Sequence, residues 1–459
     1  MNISIILAAG EGTRMKSKLP KVLHKICGKP ILEYVINASK NANVEKNVII
    51  VGHGGQQIRD YFIDEDLCFE NQPIHEGAPY GTGFAVMQGL KHVGDQDSVL
   101  VLCGDAPLIT KETINKLFKF HKNGEYASTV LTAILDNPTG YGRVIRDEIG
   151  NISRIVEEKD ASEEEILVNE INSGVYCFSG KMLKYGLGKI DSDNAQGEYY
   201  LTDLVEILRN EGYNVGAHII EDSIEIHGIN NRIQLSFSEK VMRERINKYH
   251  MLNGVTMIDP SSTYIEEGVV IGSDTIIYPG TFIEGSTTIG FNCIIRSNSR
   301  IIDSKIDDGV LIESSLIEES LVGSRTKIGP NAHLRPKSHI GKNVNIGNFV
   351  ETKNSTIGDD SKAGHLAYIG DAIVGKNVNI GCGVIFVNYN GKDKQVSNIG
   401  NNVFIGSNSN LVAPVNIKDW AYIAAGSTIN KDVEEGALSI ARAQQVNKPG
   451  WVDNRGFKK

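Results

Sequence analysis

Short apolar runs alternate with amphipathic stretches along the first half of the chain, from Met1 to about Ile229. The amphipathic stretches PILEYVINASKNA, KETINKLFKFHKNG and GEYYLTDLVEILRNEGY have the apolar spacing of helices. The apolar runs between them predict buried strands, at NVIIVG, SVLVLCGD, ASTVLTAIL and NSGVYCFSG. Strand–helix alternation over this length predicts an α/β domain at residues 1–230, with a mostly parallel sheet and helices on both faces.

A linker helix is predicted for residues 231–250, NRIQLSFSEKVMRERINKYH. Its apolar residues Ile233, Phe237 and Val241 recur at four-residue steps among many charges. That spacing is typical of an amphipathic helix, which here would connect two domains.

A six-residue period replaces both patterns after residue 250. Isoleucine occupies every sixth position at Ile265, Ile271, Ile277, Ile283, Ile289, Ile295 and Ile301. The period then slips and returns at Ile328, Leu334, Ile340 and Ile346, and again at Ile399, Ile405, Leu411, Ile417, Ile423 and Ile429. A six-residue step fits neither a helix nor an alternating strand. It is typical of a parallel β-helix, in which each hexapeptide forms one short strand and a corner, so we predict this fold for residues 251–459.

The composition narrows the class of protein. The chain has 459 residues, of which 41% are hydrophobic and 22% charged, enough to form two or more folded domains. A net charge of −9 with scattered Lys and Arg argues against a nucleic-acid-binding surface. No apolar run approaches the roughly 20 residues of a membrane helix, and the N-terminus does not resemble a signal peptide. Six cysteines without a C-x-x-C pair suit reduced thiols, so we expect a cytoplasmic protein without membrane insertion.

The segment LAAGEGTRMKSKLPKVL directly follows the first apolar run. A glycine-rich turn after a strand lets backbone N–H groups approach phosphate oxygens, and nearby cations can neutralise the phosphate charge. The segment matches neither the dinucleotide-binding motif nor the P-loop. It resembles the sugar-nucleotide pyrophosphorylase family, which joins a nucleoside triphosphate to a sugar 1-phosphate. The resemblance implies a Rossmann-like nucleotidyltransferase domain that contacts its nucleotide through Leu7, Ala8, Ala9, Gly10, Arg14 and Lys21.

A magnesium site is predicted close to this turn. The run VLCGDAPL ends in Asp105, at the edge of the sheet where ligands of parallel sheets usually bind. Magnesium takes hard oxygen ligands and often only one or two of them from protein. The family resemblance implies Asn230, in HGINNR, as the second Mg²⁺ ligand. It also implies nucleotide contacts at Gly81 and Thr82, and sugar contacts at Gly142, Glu157 and Asn172.

The residue that binds the base departs from the family pattern. The family reads uracil with a glutamine usually five residues before its Gly-Thr-Gly segment, which begins here at Gly81, and Glu76 occupies that position. Uracil presents the acceptor O4 beside the donor N3. A glutamine amide matches both groups, whereas a carboxylate can only accept. We therefore predict that Gln72 binds the base and that IHEGAPY forms a slightly longer loop.

Polar segments interrupt the six-residue period in the second half. The segment VNYNGKDKQVSNIG breaks the period after Phe386 until Ile399, which predicts a loop ejected from the β-helix, where binding sites commonly lie. The motifs L-R-P, G-N-F-V-E-x-K, S-K-A-G-H-L-x-Y-I-G-D and N-Y-x-G extend the resemblance. With them, the whole chain is similar to the bacterial bifunctional N-acetylglucosamine-1-phosphate uridylyltransferase/glucosamine-1-phosphate N-acetyltransferases. This resemblance implies an acetyltransferase domain built as a left-handed β-helix that forms a homotrimer.

The same resemblance assigns residues to acetyl transfer. An amine must lose a proton as it attacks a thioester, and a histidine is suited to accept that proton, so His365 is the expected general base. Arg335 and Lys353 are expected to hold the phosphate of glucosamine 1-phosphate, and Tyr368 and Asn379 its hydroxyls. The expected acetyl-CoA contacts are Cys382, Asn388, Tyr389, Ser407, Ala425 and Arg442. In this region Cys382 replaces a frequent alanine and Asn390 replaces the usual aspartate of N-Y-D-G.

The sequence therefore predicts a bifunctional transferase of UDP-N-acetylglucosamine synthesis, which supplies cell-wall precursors. Acetyl-CoA and glucosamine 1-phosphate would give N-acetylglucosamine 1-phosphate, which with UTP and Mg²⁺ would give UDP-N-acetylglucosamine and pyrophosphate. Its partners would be these small molecules and two further copies of the chain, not nucleic acid. The main alternative is a single-activity sugar-1-phosphate nucleotidylyltransferase in which the β-helix is only a scaffold. A non-catalytic regulatory subunit, and a carbonic anhydrase with zinc held by His333, His339 and His365, are further alternatives.

Overall fold

The structure is a computed structural model, and it describes residues 1–457. The chain divides into two compact units, Met1–Met242 and the residues from Arg243 onward. Among residues 1–457, no helix has the length and apolar character that crossing a membrane requires.

The first unit is built on a mixed, mainly parallel sheet. Its strands lie side by side in the order β11-β7-β10-β6-β1-β4-β5, and β8 and β9 form a hairpin attached to β10. All central pairs are parallel except those of β10, which runs antiparallel to β6 and β7. The strands are β1 Asn2–Ala8, β2 Lys25–Ile26, β3 Lys29–Pro30, β4 Lys46–Val51, β5 Cys68–Asn71, β6 Ser98–Cys103, β7 Ser128–Ile134, β8 Arg143–Arg146, β9 Ile152–Val156, β10 Glu170–Ser179 and β11 Val215–Ile219.

Helices cover both faces of this sheet, as the apolar runs predicted. Successive residues of a strand point to opposite faces, so Ile5 packs into one apolar cluster and Ile6 into another. Both side chains are fully buried, and burial on both faces explains why the strands contain consecutive apolar residues. The helices are α1 Ile31–Asn41, α2 Gly55–Tyr61, α3 Thr82–Gly89, α4 Lys111–Asn123, α5 Gly180–Leu187 and α6 Asp203–Asn210, followed by the long helix α7 Arg232–Leu252.

One predicted helix is shorter than its sequence pattern indicated. The stretch GEYYLTDLVEILRNEGY is helical only from Asp203. Before that point the N–H of Tyr199 donates to the Tyr80 carbonyl, and the Tyr199 carbonyl accepts from the N–H of Gly83, both at 2.8 Å. These bonds to another segment use backbone groups that a helix would need for itself, so the helix starts later.

The second unit is a parallel β-helix. Every residue of the first isoleucine series lies in one continuous apolar core that extends from Val255 to Val433. Ile271 pairs with Ile289 and Ile277 with Ile295, so a coil contains three hexapeptides. The period slips after Ile301 because the next coil is shorter and its partner is Ile317. Together with the hexapeptide pattern, this arrangement is a left-handed β-helix.

Most strands of the β-helix are only two or three residues long. One sheet contains Thr256–Met257, Thr263–Ile265, Ile276–Ile277, Thr281–Glu284, Ile294–Ile295, Arg300–Ile302, Leu311–Ile312, Leu316–Glu318, Lys327–Ile328, His333–Leu334, Asn345–Lys353, Lys362–Gly370, Asn379–Ile380, Ile385–Val387, Phe404–Ile405, Asn410–Val412, Tyr422–Ile423, Thr428–Ile429 and Leu438–Ser439. The other contains Val270–Ile271, Thr288–Ile289, Lys305–Ile306, Leu321–Val322, Ser338–Ile340, Ser355–Ile357, Ala372–Val374, Ser397–Ile399 and Val415–Ile417. A short helix, Trp451–Asn454, lies near the C-terminus.

The polar segments interrupt this regular architecture where the sequence indicated. Asn345–Lys353 and Lys362–Gly370 are the long strands of the β-helix and pair with each other over most of their length. Between Ile385–Val387 and Ser397–Ile399 the chain leaves the coil as a loop, which an antiparallel bridge between Tyr389 and Lys394 closes.

Two candidate active sites

The glycine-rich turn after β1 makes room for Lys21. Gly12 has φ 67°, in the left-handed region, and a Cβ there would lie 2.8 Å from the Cβ of Lys21. Glycine therefore both permits the backbone conformation and lets the lysine pass close to the turn. Lys21 itself begins a short 3-10 helix, Lys21–Leu23, and its side chain is 14% exposed.

Two oxygen atoms converge on the Lys21 ammonium. It forms an ion pair with Oδ2 of Asp105, just beyond β6, and donates a hydrogen bond of 3.2 Å to Oδ1 of Asn230. The N–H of Ile229 donates to the Asp105 carbonyl at 2.9 Å, which brings Asn230 next to the strand end. A carboxylate and an amide oxygen that share one cation are chemically suited to a hard divalent ion, which needs few protein ligands. The predicted pair of magnesium ligands therefore fits such an ion.

Lys21 and Asp105 line a cavity of about 260 Å³, whereas Asn230 is not among its lining residues. Among the predicted nucleotide-binding residues, those that line it are Leu7, Ala8, Ala9, Gly10, Lys21, Gln72, Gly81, Thr82 and Asp105. Arg14 does not line it and lies exposed in the 3-10 helix Thr13–Met15. The structure thus gathers predicted residues from five separate sequence segments around one cavity.

The two candidates for binding the base differ in their surroundings. Gln72 is 6% exposed and lines the cavity. Its backbone N–H donates to the Val51 carbonyl at 2.8 Å, which holds the residue against the end of β4. Glu76 is exposed in the following loop and does not line the cavity. This placement supports Gln72 as the residue that binds the base.

The three predicted sugar-binding residues form a second group around the β8–β9 hairpin. The N–H of Asn172 donates to the Gly142 carbonyl at 2.9 Å, and the Glu157 carboxylate lies on the other side of Gly142. Glu157 lines a separate cavity of about 340 Å³, which contains many carboxylates. Burial raises the pKa of Glu157, and a hydrogen bond from Thr202 opposes that shift. These three residues therefore adjoin each other and do not line the cavity of Lys21.

The sequence reasoning missed five residues that line the cavity: Val22, Tyr80, Ala85, Cys103 and Glu198. Glu198 lines the 260 Å³ cavity, and burial raises its pKa. It precedes Tyr199, in the segment that the pattern assigned to a helix, so its approach to the Gly81 turn had no local signal. Cys103 also lines the cavity, and burial together with the Asp105 charge raises the pKa of its thiol to about 12. The thiol is therefore neutral at physiological pH.

In the β-helix, three cations lie close together on one face. Arg335 pairs with Glu351 at 2.8 Å, and this contact raises the pKa of Arg335. Lys394, from the ejected loop, lies against Lys353 and, together with Arg335, lowers the pKa of Lys353. Mutual repulsion among these side chains would be relieved by a phosphate dianion. Lys394 was not predicted, although a lysine in an ejected polar loop was a signal available in the sequence.

A polar network beside these cations connects Tyr368 with Asn388. The Asn388 amide donates to Oδ2 of Asp371 at 2.5 Å and to the Tyr368 hydroxyl at 3.3 Å. Asp371 is buried and also accepts a hydrogen bond of 2.6 Å from the amide of Asn354. The network fixes the orientation of two predicted substrate-binding side chains.

His365 lies apart from the cations within a single chain. It is exposed on the long strand Lys362–Gly370, in register with Asn348. Asn379 lies on the short strand Asn379–Ile380. It pairs there with Lys362, at the start of the strand that carries His365, and with Phe404 on the other side. Among residues 1–457 no three His, Cys, Asp or Glu side chains form a group that could hold a metal ion. The histidines 333, 339 and 365 therefore do not assemble a zinc site.

The predicted acetyl-CoA contacts align along one corner of the β-helix. The carbonyl of Cys382 accepts from the N–H of Asn408, and the carbonyl of Ser407 accepts from the N–H of Gly426, both at 2.8 Å. Ala425 lies beside Gly406, on the coil that follows the one containing Ser407, and Arg442 lies beside Gly426. Cys382, Ser407, Ala425 and Arg442 thus follow one another on successive coils.

Two further residues predicted to contact acetyl-CoA, Asn388 and Tyr389, lie in the ejected loop after Ile385–Val387. Tyr389 is 57% exposed, and its hydroxyl donates to the Gly391 carbonyl at 2.7 Å. Oδ1 of Asn390 accepts from the N–H groups of Lys392 and Asp393, at 2.9 and 2.7 Å. An aspartate could accept the same two bonds, so the substitution keeps the turn and removes a charge.

The chain matches known families along most of its length. Residues 3–225 match the nucleotidyl transferase family, residues 316–389 the GMPPB C-terminal domain, and residues 397–431 the bacterial transferase hexapeptide (six repeats). A protein named bifunctional protein GlmU from Clostridioides difficile (strain 630) is 53% identical over 99% of this chain and 98% of its own length. The chain belongs to the GlmU family of bifunctional enzymes.

Other GlmU proteins also match this chain over nearly its whole length. A GlmU protein from Caldanaerobacter subterraneus is 54% identical over 99% of this chain and 98% of its own length. One from Clostridium botulinum (strain 657) is 51% identical over 100% of this chain and 99% of its own length. The chain is therefore a bifunctional transferase, with uridylyltransferase and acetyltransferase activities in UDP-N-acetylglucosamine synthesis.

Proposed function

We propose that the two candidate sites carry out two consecutive reactions. The β-helix acetylates glucosamine 1-phosphate with acetyl-CoA, and the α/β unit transfers a uridylyl group from UTP to the resulting N-acetylglucosamine 1-phosphate. The observation that carries this proposal is that each unit has its own cationic site for a phosphorylated substrate. These sites are Lys21 with Asp105 and Asn230, and Arg335 with Lys353 and Lys394. A single-activity enzyme with the β-helix as scaffold would have no use for the second site.

In uridylyl transfer, a phosphate oxygen of the sugar 1-phosphate attacks the α-phosphorus of UTP. The bond from that phosphorus to the bridging oxygen breaks, and pyrophosphate leaves. Such reactions need positioning and charge neutralisation more than covalent help from the protein. Lys21 neutralises phosphate charge, the glycine turn contacts phosphate oxygens through its N–H groups, and Gln72 binds uracil. Asp105 and Asn230 would hold Mg²⁺, which supplies further positive charge to the triphosphate.

The sugar is bound on the other side of the sheet edge, by Gly142, Glu157 and Asn172. A carboxylate and an amide provide the hydrogen-bond acceptors and donors that sugar hydroxyls and an acetamido group require. The backbone hydrogen bond between Asn172 and Gly142 supports this grouping. The sugar would extend from these residues towards the cavity of Lys21.

In acetyl transfer, the amine of glucosamine 1-phosphate attacks the thioester carbonyl, and the carbon–sulfur bond breaks to release coenzyme A. His365 accepts the proton that the amine loses as the new C–N bond forms. Arg335, Lys353 and Lys394 hold the phosphate, and Tyr368 and Asn379 bind the sugar hydroxyls. The corner with Cys382, Ser407, Ala425 and Arg442 holds acetyl-CoA together with Asn388 and Tyr389 of the ejected loop.

A homotrimer through the β-helix belongs to the same proposal. His365 and the cation group lie on different parts of one chain, and large apolar side chains near His365 are exposed. Phe349 is 61% exposed, Leu366 58% and Ile385 45%. Association of copies would cover these side chains and complete the acetyl-transfer site. A cytoplasmic location follows from the proposed use of UTP and acetyl-CoA, which are cytoplasmic metabolites.

The decisive experiment mixes the protein with glucosamine 1-phosphate, acetyl-CoA, Mg²⁺ and each nucleoside triphosphate in turn, and identifies the products by mass spectrometry. UDP-N-acetylglucosamine formed only with UTP is the expected result. His365→Ala should abolish acetyl transfer and spare uridylyl transfer, and Asp105→Ala should do the reverse. Loss of both activities from a folded single variant would contradict the two-site proposal.

A further inference from the structure

Arg143 has the most deeply buried charged side chain of the described residues, with only 2% of it exposed. A guanidinium stays charged at any physiological pH, so its burial requires several hydrogen-bond acceptors around it. None of the reaction steps described above uses Arg143. Its position in the sheet suggests what it does.

Arg143 is the residue at which the three sugar-binding segments meet. It directly follows Gly142, and it pairs across β8–β9 with Val156, the residue before Glu157. On its other side it pairs with Ile171, the residue before Asn172. Each proposed sugar-binding residue is therefore a chain neighbour of Arg143 or of one of its two strand partners.

The side chain of Arg143 connects the loops that carry these residues. Nη1 donates to the carbonyl of Tyr141, the residue before Gly142. Nε donates to the carbonyl of Ile166 at 3.3 Å, in the segment that leads towards β10. Nη2 pairs with Oε1 of Glu158, the residue after Glu157, at 3.6 Å. One planar group thus makes contacts in three directions, which a lysine ammonium on a flexible chain would not reproduce.

Glu158 completes the connection. Its second carboxylate oxygen accepts a 2.5 Å hydrogen bond from the N–H of Gly140, in the loop before Tyr141. Arg143 and Glu158 together therefore hold the loop of residues 140–142 against the loop that contains Glu157. Displacement of this loop would change the separation between the Gly142 backbone and the Glu157 carboxylate.

We infer that Arg143, with Glu158, is a positioning residue for the sugar subsite of uridylyl transfer. The pair keeps Gly142, Glu157 and Asn172 in the arrangement that binds the sugar 1-phosphate. It does not touch the cavity that takes the nucleotide. This inference rests on the proposed uridylyl transfer, and it predicts an effect on the sugar substrate separate from any effect on UTP.

The test measures KM for N-acetylglucosamine 1-phosphate at saturating UTP, and KM for UTP at saturating sugar phosphate. Arg143→Met should raise KM for the sugar phosphate by roughly tenfold or more, because small displacements of binding groups have large effects. KM for UTP should stay within about twofold of the wild-type value, because Arg143 does not line the nucleotide cavity and substitutions at distant sites act independently. Arg143→Lys, which keeps the charge and loses the fork of donors, should be intermediate. Acetyl transfer by the same preparation measures the amount of protein, and a thermal unfolding scan reports whether the α/β unit is folded.

Arg209→Met is the matched control. Arg209 pairs at 2.8 Å with Asp147, in the turn of the β8–β9 hairpin, its side chain is 35% exposed, and it lines neither the 260 Å³ nor the 340 Å³ cavity. Partly exposed ion pairs contribute little to binding geometry elsewhere, so this variant should keep both KM values within about twofold of the original chain. If Arg143→Met did not fold, Glu158→Gln would decide, because it keeps an acceptor for Gly140 and removes the negative charge opposite Arg143. It should raise KM for the sugar phosphate selectively.

A merely structural role of Arg143 would lower the melting temperature and leave the KM values unchanged, or raise both KM values together. Either result would overturn the inference while the proposed function remained. A wild-type chain that formed no nucleotide sugar would overturn the proposed function and this inference with it.

Discussion

Replacement of Gly81 by alanine should abolish uridylyl transfer and spare acetyl transfer. Gly81 precedes helix α3 and lines the nucleotide cavity. Its φ of 120° lies in a region that residues with a Cβ avoid. The turn also passes so close to Tyr199 that a Cβ on Gly81 would lie 2.4 Å from the carbonyl oxygen and 2.6 Å from the nitrogen of that residue.

The size of the effect follows from this overlap. To restore an ordinary contact the two backbones must separate by about 1 Å, and a displacement of that size in a binding group can cost roughly 100-fold in rate. The backbone conformation adds a strain of roughly 1–3 kcal/mol. The hydrogen bonds of Tyr199 to Tyr80 and Gly83 would weaken as well, because they hold the same two segments together. We therefore expect uridylyl transfer to fall at least about 100-fold.

Gly77→Ala is the matched control for backbone strain. Gly77 has φ 80°, also in the left-handed region, but no atom lies within 4 Å of a Cβ at this position. Alanine at Gly77 would therefore add strain without a collision, and uridylyl transfer should fall by no more than about threefold.

Both activities are measured from one preparation of each variant. Acetyl transfer depends on the other unit and reports the concentration of protein, and a thermal unfolding scan shows whether the α/β unit is folded. Uridylyl transfer that stayed within about threefold of wild type in Gly81→Ala would refute the reasoning, because the collision would then have no consequence. An equal loss in Gly77→Ala would show that strain alone, and not the contact with Tyr199, is responsible.

Three further predictions concern pH, metal and core packing. Burial, with repulsion from Asp191 and Glu206, raises the pKa of Asp203 from 3.8 to about 6. Protonation of Asp203 therefore stabilises the folded state. This contribution to the free energy of unfolding is fully present below about pH 4 and is lost as the pH rises through 6. Asp203→Asn should then raise the free energy of unfolding by about 1–2 kcal/mol at pH 8, after allowance for partial exposure, and by nearly nothing at pH 4. Urea inactivation of uridylyl transfer at both pH values measures this, and equal effects would contradict it. A chelator should abolish uridylyl transfer and leave acetyl transfer intact, with recovery on addition of Mg²⁺; continued uridylyl transfer in the chelator would argue against the site at Asp105. Ile312 is fully buried in the β-helix, so Ile312→Ala should cost about 2–5 kcal/mol and lower the temperature at which acetyl transfer is lost, whereas uridylyl transfer should keep its own inactivation temperature.

Much of the nucleotide site could be predicted because its parts are local. The turn around Gly10 and Gly12, the lysine nine residues after Gly12 and the carboxylate after β6 each lie in a short sequence motif. Parallel strands also place such motifs at one sheet edge, so their convergence follows from the topology. The structure adds the direct contact of Lys21 with Asp105 and Asn230.

The sequence by itself determined the two folds and the type of chemistry. A six-residue aliphatic period allows only one way to bury its isoleucines, so residues such as Ile277 and Ile295 had to stack in successive coils. In the α/β unit, uninterrupted apolar runs such as Val99–Leu102 in β6 had to be covered on both faces. These conclusions depend on periodicity, which is a property of neighbouring residues.

Only the tertiary structure decided which distant groups meet. Nothing near Tyr199 in the sequence shows that its backbone bonds to the Gly81 turn and thereby delays the start of α6. The contact of Lys394 with Lys353 likewise depends on how loops pack. The physical reason is that burial, pKa shifts and hydrogen bonds between segments arise from the summed packing of the whole unit, whereas a sequence pattern records only the residues beside it.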